Sequence, residues 1–369
     1  MKPFSTPPRS ILISSIRLIG DVILTTPLIK IFKDAWPQTP VDVLVNVKTG
    51  EFLKKDPRVR RIIASHAWDV DTNQRTSGKS YFWEIAKRYD LAVNMSASDR
   101  GTFAALAGGK RCKVGFFEAR RPVKELWKKL LLTHPIPYDH DCHRACLCAY
   151  VARALGLPHE RLEANVFWDE ADRSAVSQLL NNESVETGYF VVHPFARWRY
   201  KFWDMNKVVE TSDLISAQYG LRPVWTCAPI PEEQEVLVRE ASRCRIPPIT
   251  VPGTLTLNRM ACLIDGAELY LGVDTAISHI AATTGVPMVA LFGPTPSNLW
   301  APWNNVLPAD DQCRRGIMDD CSSGNIVVLQ KKPECFPCFR MGCEDKTRES
   351  RCLTAITIEE VMSAIGRLL

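Results

Sequence analysis

Short apolar runs that end in a polar or glycine-containing loop and hand over to a helix-period segment recur along this chain, and that alternation leaves few architectures open. Residues 11–15 form the first such run, and the segment 21–33 after it carries Val22, Leu24, Leu28, Ile29 and Phe32 on one helical side. Further strands are expected at 41–45 and 91–95, with helical stretches such as 81–88 between them. The pattern restarts after a polar stretch at 181–188, with strands at 189–193, 222–227, 269–273 and 287–292 and helices at 204–218, 231–243 and 276–284. Strands alternating with helices predict a mostly parallel sheet wrapped on both faces, the doubly wound α/β arrangement. Two successive series predict two similar halves, 1–183 and 184–369, joined by the linker 181–188. Residues 309–352 are poor in periodicity and hold six cysteines, and 358–369 reads as a terminal helix.

A chain of 369 residues exceeds one ordinary core. With 46% hydrophobic and 24% charged residues, neither intrinsic disorder nor a fibrous repeat fits, and no short-period repeat suggests a solenoid. The first candidate membrane segment, 11–23, is interrupted by Arg17 and Asp21, so neither a signal peptide nor an anchor is expected. On that footing the 13 cysteines are expected as thiols in a reducing cytoplasm rather than as a disulfide framework. A net charge of +5 does not by itself separate an enzyme from a nucleic-acid binder. Its distribution says more: Lys110, Arg111, Lys113, Arg120, Arg121, Lys124, Lys128 and Lys129 face only Glu118 and Glu125 within 110–129. That stretch is either a positive surface suited to a phosphorylated glycolipid or an anionic leaflet, or a solvated helix face.

Four constellations are candidates for chemistry. Gly20-Asp21 falls between the first strand and its helix, at the edge where open α/β folds bind ligands; there Asp21 serves either as a helix N-cap or as a functional carboxylate. The run 269–279 ends a strand at Gly272 and opens a helix near Thr275, so Thr275 and Ala276 present backbone N–H groups suited to a diphosphate. Asp274 there would fix the loop or hold a sugar hydroxyl, and His279 is either a ligand or a satisfied core histidine. The loop 193–203 carries Arg197, Arg199 and Lys201 among large aromatics, and is either suited to an anion with a planar part or a basic surface loop whose tryptophans are core. Cys335-x2-Cys338-x4-Cys343-x8-Cys352 can supply four ligands to a structural zinc or be reduced or partly disulfide-linked thiols. The Gly-x-Gly-x-x-Gly, P-loop, His-Glu-x-x-His and Gly-x-Ser-x-Gly motifs are absent, which weakens dehydrogenase, NTPase, zincin and serine-hydrolase readings.

These pieces, in this order, resemble glycosyltransferase family 9, the bacterial lipopolysaccharide heptosyltransferases. The opening Ile11-Leu-Ile…Gly20-Asp21-Val-Ile-Leu-Thr-Thr-Pro27 is similar to the family's beginning, and 271–282, 285–295 and Trp300-Ala-Pro-Trp303 to its donor-site signature. Residues 94–101, Arg197-Trp198 and Lys201-x-Trp203 bring it nearest the heptosyltransferase III subgroup. The resemblance implies a GT-B fold, two Rossmann-like domains facing across a cleft, with ADP-L-glycero-β-D-manno-heptose as donor and an inner-core heptose or Kdo as acceptor. It implies Asp21 as general base, Lys201 on the diphosphate, and Asp274, Thr275, Ala276 and His279 lining the donor pocket. Leu255 would lie by the adenine and Glu232 or Glu233 near the ribose, while Arg17, Gly20, Asp99, Arg100, Arg120 and Arg121 would serve the acceptor. The chain departs from the family pattern at Phe195, Ala196 and Arg197, where small or hydroxyl residues are usual, and at Ala276, where glycine is frequent.

The resemblance further implies an inverting transfer with no obligatory cofactor, at the cytoplasmic face of the inner membrane, with no nucleic-acid partner. The alternatives are another nucleotide-sugar transferase or epimerase, and a nonenzymatic nucleotide- or glycan-binding protein.

Overall fold

A computed structural model describes Phe4 and residues 6–65, 81–183, 188–313, 322–338, 340–343 and 349–369. The chain divides into two compact units, Met1–Asn165 with Asn305–Arg314, and Val166–Asn304 with Arg315–Leu369. The division falls upstream of the 183/184 boundary expected from sequence. Helix Glu170–Asn182 belongs to the second unit, where Arg259 Nε donates to Asp172 at 3.3 Å and Asn258 donates to the carbonyl of Phe167 at 2.7 Å. The polar stretch at 181–188 therefore marks a helix end rather than a domain edge, and its residues 184–187 lie outside those described. The segment 305–313 returns to the first unit: Asn305 pairs with both backbone groups of Ala164, each at 2.9 Å.

In the first unit β1 (Ile11–Ser15), β2 (Val41–Asn46), β3 (Val59–Ser65), β4 (Tyr89–Asn94), β5 (Gly109–Phe117) and β6 (His134–Pro137) form one sheet in the order β3-β2-β1-β4-β5-β6. In the second, β7 (Tyr189–His193), β8 (Arg222–Cys227), β9 (Ile249–Pro252), β10 (Leu269–Val273), β11 (Met288–Phe292) and β12 (Ile326–Gln330) run in the order β12-β11-β10-β7-β8-β9. Every pairing within both sheets is parallel. Each sheet thus has the doubly wound order in which the chain reverses direction between the first strand and its fourth, β1 beside β4 and β7 beside β10, and ligands bind at the carboxyl ends of such a pair.

Burial explains which strands were visible in the sequence. Strands covered on both faces read as unbroken apolar runs, and β1, β7 and β10 are buried at every position and occupy the expected residues. β5 escaped that reading because Lys110, Arg111 and Lys113 interrupt its run. The helix expected over 21–33 is two helices, Ile19–Ile23 and Thr26–Ala35. Pro27, lacking an N–H, fits only the first turn of a helix, so the second one starts there.

One pair of cysteines departs from the expectation of thiols: Cys146 and Cys313 form a disulfide within the first unit, and the ten other described cysteines lie outside it. The bridge holds the returning segment, whose cysteine is distant in sequence, against helix Cys146–Ala154. Among the described residues no helix is long and apolar enough to cross a membrane.

Candidate active site

In the first unit a pocket opens at the carboxyl edge of the sheet, where β1 meets β4. Ser15, Arg17, Asp21 and Thr25 reach it from the chain after β1, Met95 and Ser96 from that after β4, and Tyr138 and Arg144 from that after β6. Asp21 does not cap a helix. It lies inside Ile19–Ile23, whose N-cap is Leu18, and its carboxylate instead accepts from Arg17 Nε at 2.7 Å. The pair raises the Arg17 pKa, the Asp21 charge being the largest cause. Below it, Thr25 donates to the Asp21 carbonyl at 2.9 Å and shares a 3.2 Å hydrogen bond with Ser15, tying the short helix to the end of β1.

The wall from β4 is built on Asn94, whose amide donates to the Ser96 carbonyl at 2.6 Å and to Thr102 at 3.2 Å. Gly101 is required here: a Cβ at that position would come within 2.1 Å of the Asn94 side-chain oxygen. Arg144 is spread across the base of the pocket's third wall, donating to the carbonyls of Asp139 and His140 at 2.9 and 2.8 Å and lying over the Tyr138 ring at 5.2 Å. Burial raises the Tyr138 pKa, so the phenol stays protonated at neutral pH and can donate.

Of the residues expected to serve the acceptor, Arg17 lines this pocket, beside the expected base Asp21; Gly20, Asp99, Arg100, Arg120 and Arg121 do not. Asp99 occupies the first turn of helix Asp99–Gly108 and pairs with Lys128 at 2.8 Å. Arg120 and Arg121 are exposed beyond β5. Met95, Ser96, Tyr138 and Arg144 were missed by sequence reasoning. The available signal was positional: each follows the carboxyl end of a strand of the same sheet as β1.

In the second unit the corresponding switch point brings Lys201 and Asp274 together. Lys201 ends a single turn, Arg199–Lys201, after β7, and Asp274 follows β10; their side chains meet at 2.5 Å, with 16% and 8% of each exposed. Thr275 is the N-cap of helix Ala276–Thr284 without a side-chain cap bond, and Thr275 and Ala276 are half-buried. The loop is braced from below: Ser278 donates to the Val273 carbonyl at 2.6 Å and shares a 3.0 Å hydrogen bond with Tyr270. His279, one turn into the helix, is buried. Within the aromatic loop, Phe195 and Trp203 are core residues, whereas Trp198 is exposed beneath the Arg197 guanidinium at 5.0 Å. The departures from the family pattern at 195 and 196 are thereby explained, since those side chains fill the core.

Glu232 and Glu233 begin helix Pro231–Ala241 after β8, and only Glu232 is exposed. Glu233 is buried and accepts from the Ala228 N–H at 3.0 Å, and burial raises its pKa. Leu255, half-buried, precedes helix Leu257–Asp265 after β9. Cys335 is exposed, Cys338 and Cys343 are half-buried and Cys352 is buried, none of them in the Cys146–Cys313 disulfide. Among the described residues no three His, Cys, Asp or Glu side chains are grouped to hold a metal ion.

The family model for glycosyltransferase family 9 (heptosyltransferase) matches residues 84–312. The chain is 27% identical over 292 residues to lipopolysaccharide heptosyltransferase 3 of Escherichia coli, covering 78% of this chain and 85% of the relative. Its fold is similar to a glycosyl transferase family 9 structure from Veillonella parvula, with a TM-score of 0.77 at 17% identity, covering 98% of this chain and 97% of that one. It is similar also to E. coli ADP-heptose lps heptosyltransferase II, with a TM-score of 0.69 at 18% identity, covering 97% and 98%. Both neighbours support the GT-B class, two Rossmann-like domains. The family match spans more than half of the chain and takes in Lys201, Asp274 and the wall built on Asn94, and on that evidence the chain belongs to glycosyltransferase family 9 and is a glycosyltransferase.

Proposed function

We propose that this enzyme transfers L-glycero-D-manno-heptose from ADP-heptose to an inner-core sugar of lipopolysaccharide, with inversion at the anomeric carbon. One observation carries the reading: in each unit the candidate groups stand at the sheet's switch point, Asp21 in the first and the Lys201–Asp274 pair in the second. The names of the relatives supply the sugar and the acceptor.

In this reading the first unit holds the acceptor and the second the donor. The acceptor hydroxyl loses its proton to Asp21 as its oxygen attacks the anomeric carbon, and the bond from that carbon to the diphosphate oxygen breaks. The transition state is oxocarbenium-like, as in inverting glycoside hydrolysis with a sugar hydroxyl in place of water. Negative charge grows on the departing ADP, where Lys201 and the first-turn N–H groups of helix Ala276–Thr284 meet it. Those groups supply the positive charge that the step requires, so we assign it no obligatory metal. Asp274 holds the Lys201 ammonium in place before the donor arrives. We place the enzyme at the cytoplasmic face of the inner membrane, peripheral to an anionic leaflet.

The test is mass spectrometry of products from a panel of truncated core acceptors incubated with ADP-heptose. Addition of one heptose to a defined acceptor is expected, and its loss in Asp21→Asn with ADP binding retained. Binding of ADP without transfer to any acceptor would overturn the reading.

A further inference from the structure

The helix Leu126–Leu131 is turned inside out. Its sequence, Leu-Trp-Lys-Lys-Leu-Leu, would ordinarily bury the leucines and project the lysines, because apolar area gains from leaving water and an ammonium does not. Here Lys128 is 1% exposed, whereas Leu126 is 51%, Leu130 74% and Leu131 54% exposed, and Val123 in the preceding turn is 88% exposed. The cause is electrostatic. The Lys128 ammonium meets Glu125 at 2.7 Å and Asp99 at 2.8 Å and donates to the Ala97 carbonyl at 2.6 Å. A buried cation with three such partners is costly to strip of them, so the rotation of the helix is locked with its leucines outward. Trp127 stacks on Phe103 of helix Asp99–Gly108 at 5.0 Å between ring centres, and Phe103 is itself 50% exposed, which extends the apolar face.

Exposed cations lie in and just before this helix in sequence: Arg120, Arg121, Lys124 and Lys129. Arg120 lies 3.9 Å from Asp141, and Lys129 projects over the Phe117 ring at 4.5 Å. An exposed apolar surface flanked by Lys and Arg is complementary to a bilayer with anionic headgroups: the apolar residues enter the boundary between headgroups and acyl chains while the cations stay at the headgroups. The element follows β5, in the same sheet whose β1 leads to Asp21. Through Lys128 it also grips Ala97, the neighbour of the pocket residue Ser96.

We propose that Val123, Leu126, Leu130 and Leu131 insert into the surface of an anionic bilayer, with Lys124 and Lys129 on the headgroups, and so seat the first unit's pocket at the level of a lipid-borne acceptor. This deepens the proposed membrane placement and rests on it for the source of the lipid. It adds an apolar contact that the basic stretch alone does not supply.

The experiment is sedimentation of the full chain with vesicles of phosphatidylglycerol and phosphatidylethanolamine, and with phosphatidylcholine vesicles, at low and high salt. The parent protein, Leu126→Gln/Leu130→Gln and Lys124→Glu/Lys129→Glu are compared. The parent is expected to bind the anionic vesicles. The leucine variant should bind at least about tenfold more weakly at either salt concentration, and the charge-reversed variant more weakly chiefly at low salt. The thermal midpoint of the leucine variant, and its heptose transfer to a water-soluble deacylated core acceptor, should match the parent, which separates loss of the membrane contact from loss of fold or of activity. Undiminished vesicle binding by the leucine variant overturns the proposal. So does a parent that ignores anionic vesicles, or a parent dimer that the leucine substitutions dissolve, which would put a second copy on this face. Vesicle binding as expected with no transfer by any variant leaves the insertion standing and removes the proposed function alone.

Discussion

Arg17 Nε donates to Asp21 Oδ1 at 2.7 Å across one helical turn, so the carboxylate assigned as base is already aimed and paired before any sugar arrives. In the proposed mechanism this carboxylate takes the proton of the acceptor hydroxyl. Asp21→Asn keeps the shape and removes the proton acceptor, and kcat should fall about 10²- to 10⁴-fold, the range for general-base assistance. Arg17→Ala should lower kcat less, by about tenfold, through lost orientation, with partial recovery in Arg17→Lys. Calorimetric titration with ADP should give the parent affinity in all three, because the groups proposed to hold the donor belong to the second unit. Parent turnover in Asp21→Asn would remove Asp21 from the mechanism.

Lys201 and Asp274 set the corresponding expectation for the donor. A charge-assisted hydrogen bond to phosphate contributes about 1.5–3 kcal/mol. Lys201→Ala should therefore weaken ADP binding by about 10- to 100-fold, with a parallel fall in kcat/KM. Lys201→Arg should recover part of it. An unchanged dissociation constant for ADP in Lys201→Ala would show that the ammonium serves only its ion pair with Asp274.

How far the sequence announced this arrangement depended on burial. β1, β7 and β10 carry no charged residue and are covered on both faces, so their apolar runs mark them to the residue. β3 and β5 carry arginines and lysines on partly exposed positions and broke the pattern. The candidate groups that follow a well-marked strand, Asp21, Lys201 and Asp274, were legible for the same reason. Tyr138 and Arg144 were not: they reach the pocket because β6 pairs beside β5 and β5 beside β4, a relationship made by sheet order and carried by no local motif. Spacing also left Asp21 open between cap and functional group. The helix starts at Ile19, two residues ahead of Asp21, which removes the cap and leaves the functional group as a proposal. Lys128 shows the opposite limit, since a lysine within a basic stretch gives no sign in sequence of being buried on two carboxylates.

Glu232 and Glu233 are neighbours with different work. Glu233 is buried and accepts from the Ala228 N–H, so Glu233→Ala leaves that donor without its partner and should cost about 1–3 kcal/mol of stability, measured by urea denaturation. Glu232 is exposed at the start of the same helix. If it holds a ribose hydroxyl, Glu232→Ala should weaken ADP binding several-fold, on the scale of one hydrogen bond to a charged group, and leave the urea midpoint near the parent value. The reverse pattern, a stability loss at 232 and an affinity loss at 233, would exchange the two roles.

His193 gives the second unit a defined response to acid. It closes β7, is buried, and shares a 2.8 Å hydrogen bond with Thr226. Burial disfavours its cation and pushes its pKa down to about 3 from the ordinary 6.5. The unfolded chain takes up this proton below about pH 6.5, while the folded chain does not until about pH 3. The unfolded state therefore binds one proton more across that window, and stability is lost as the pH falls through it. One extra proton raises the unfolding equilibrium constant by about tenfold per pH unit. Urea denaturation of the parent and of His193→Asn between pH 7 and 4.5, followed by a probe in the second unit, separates this from the carboxylates that both proteins share. The parent curve should fall more steeply than the variant curve by about 1.4 kcal/mol per pH unit below 6.5. Parallel curves would mean that His193 already takes up its proton in the folded protein, which its burial against Thr226 opposes.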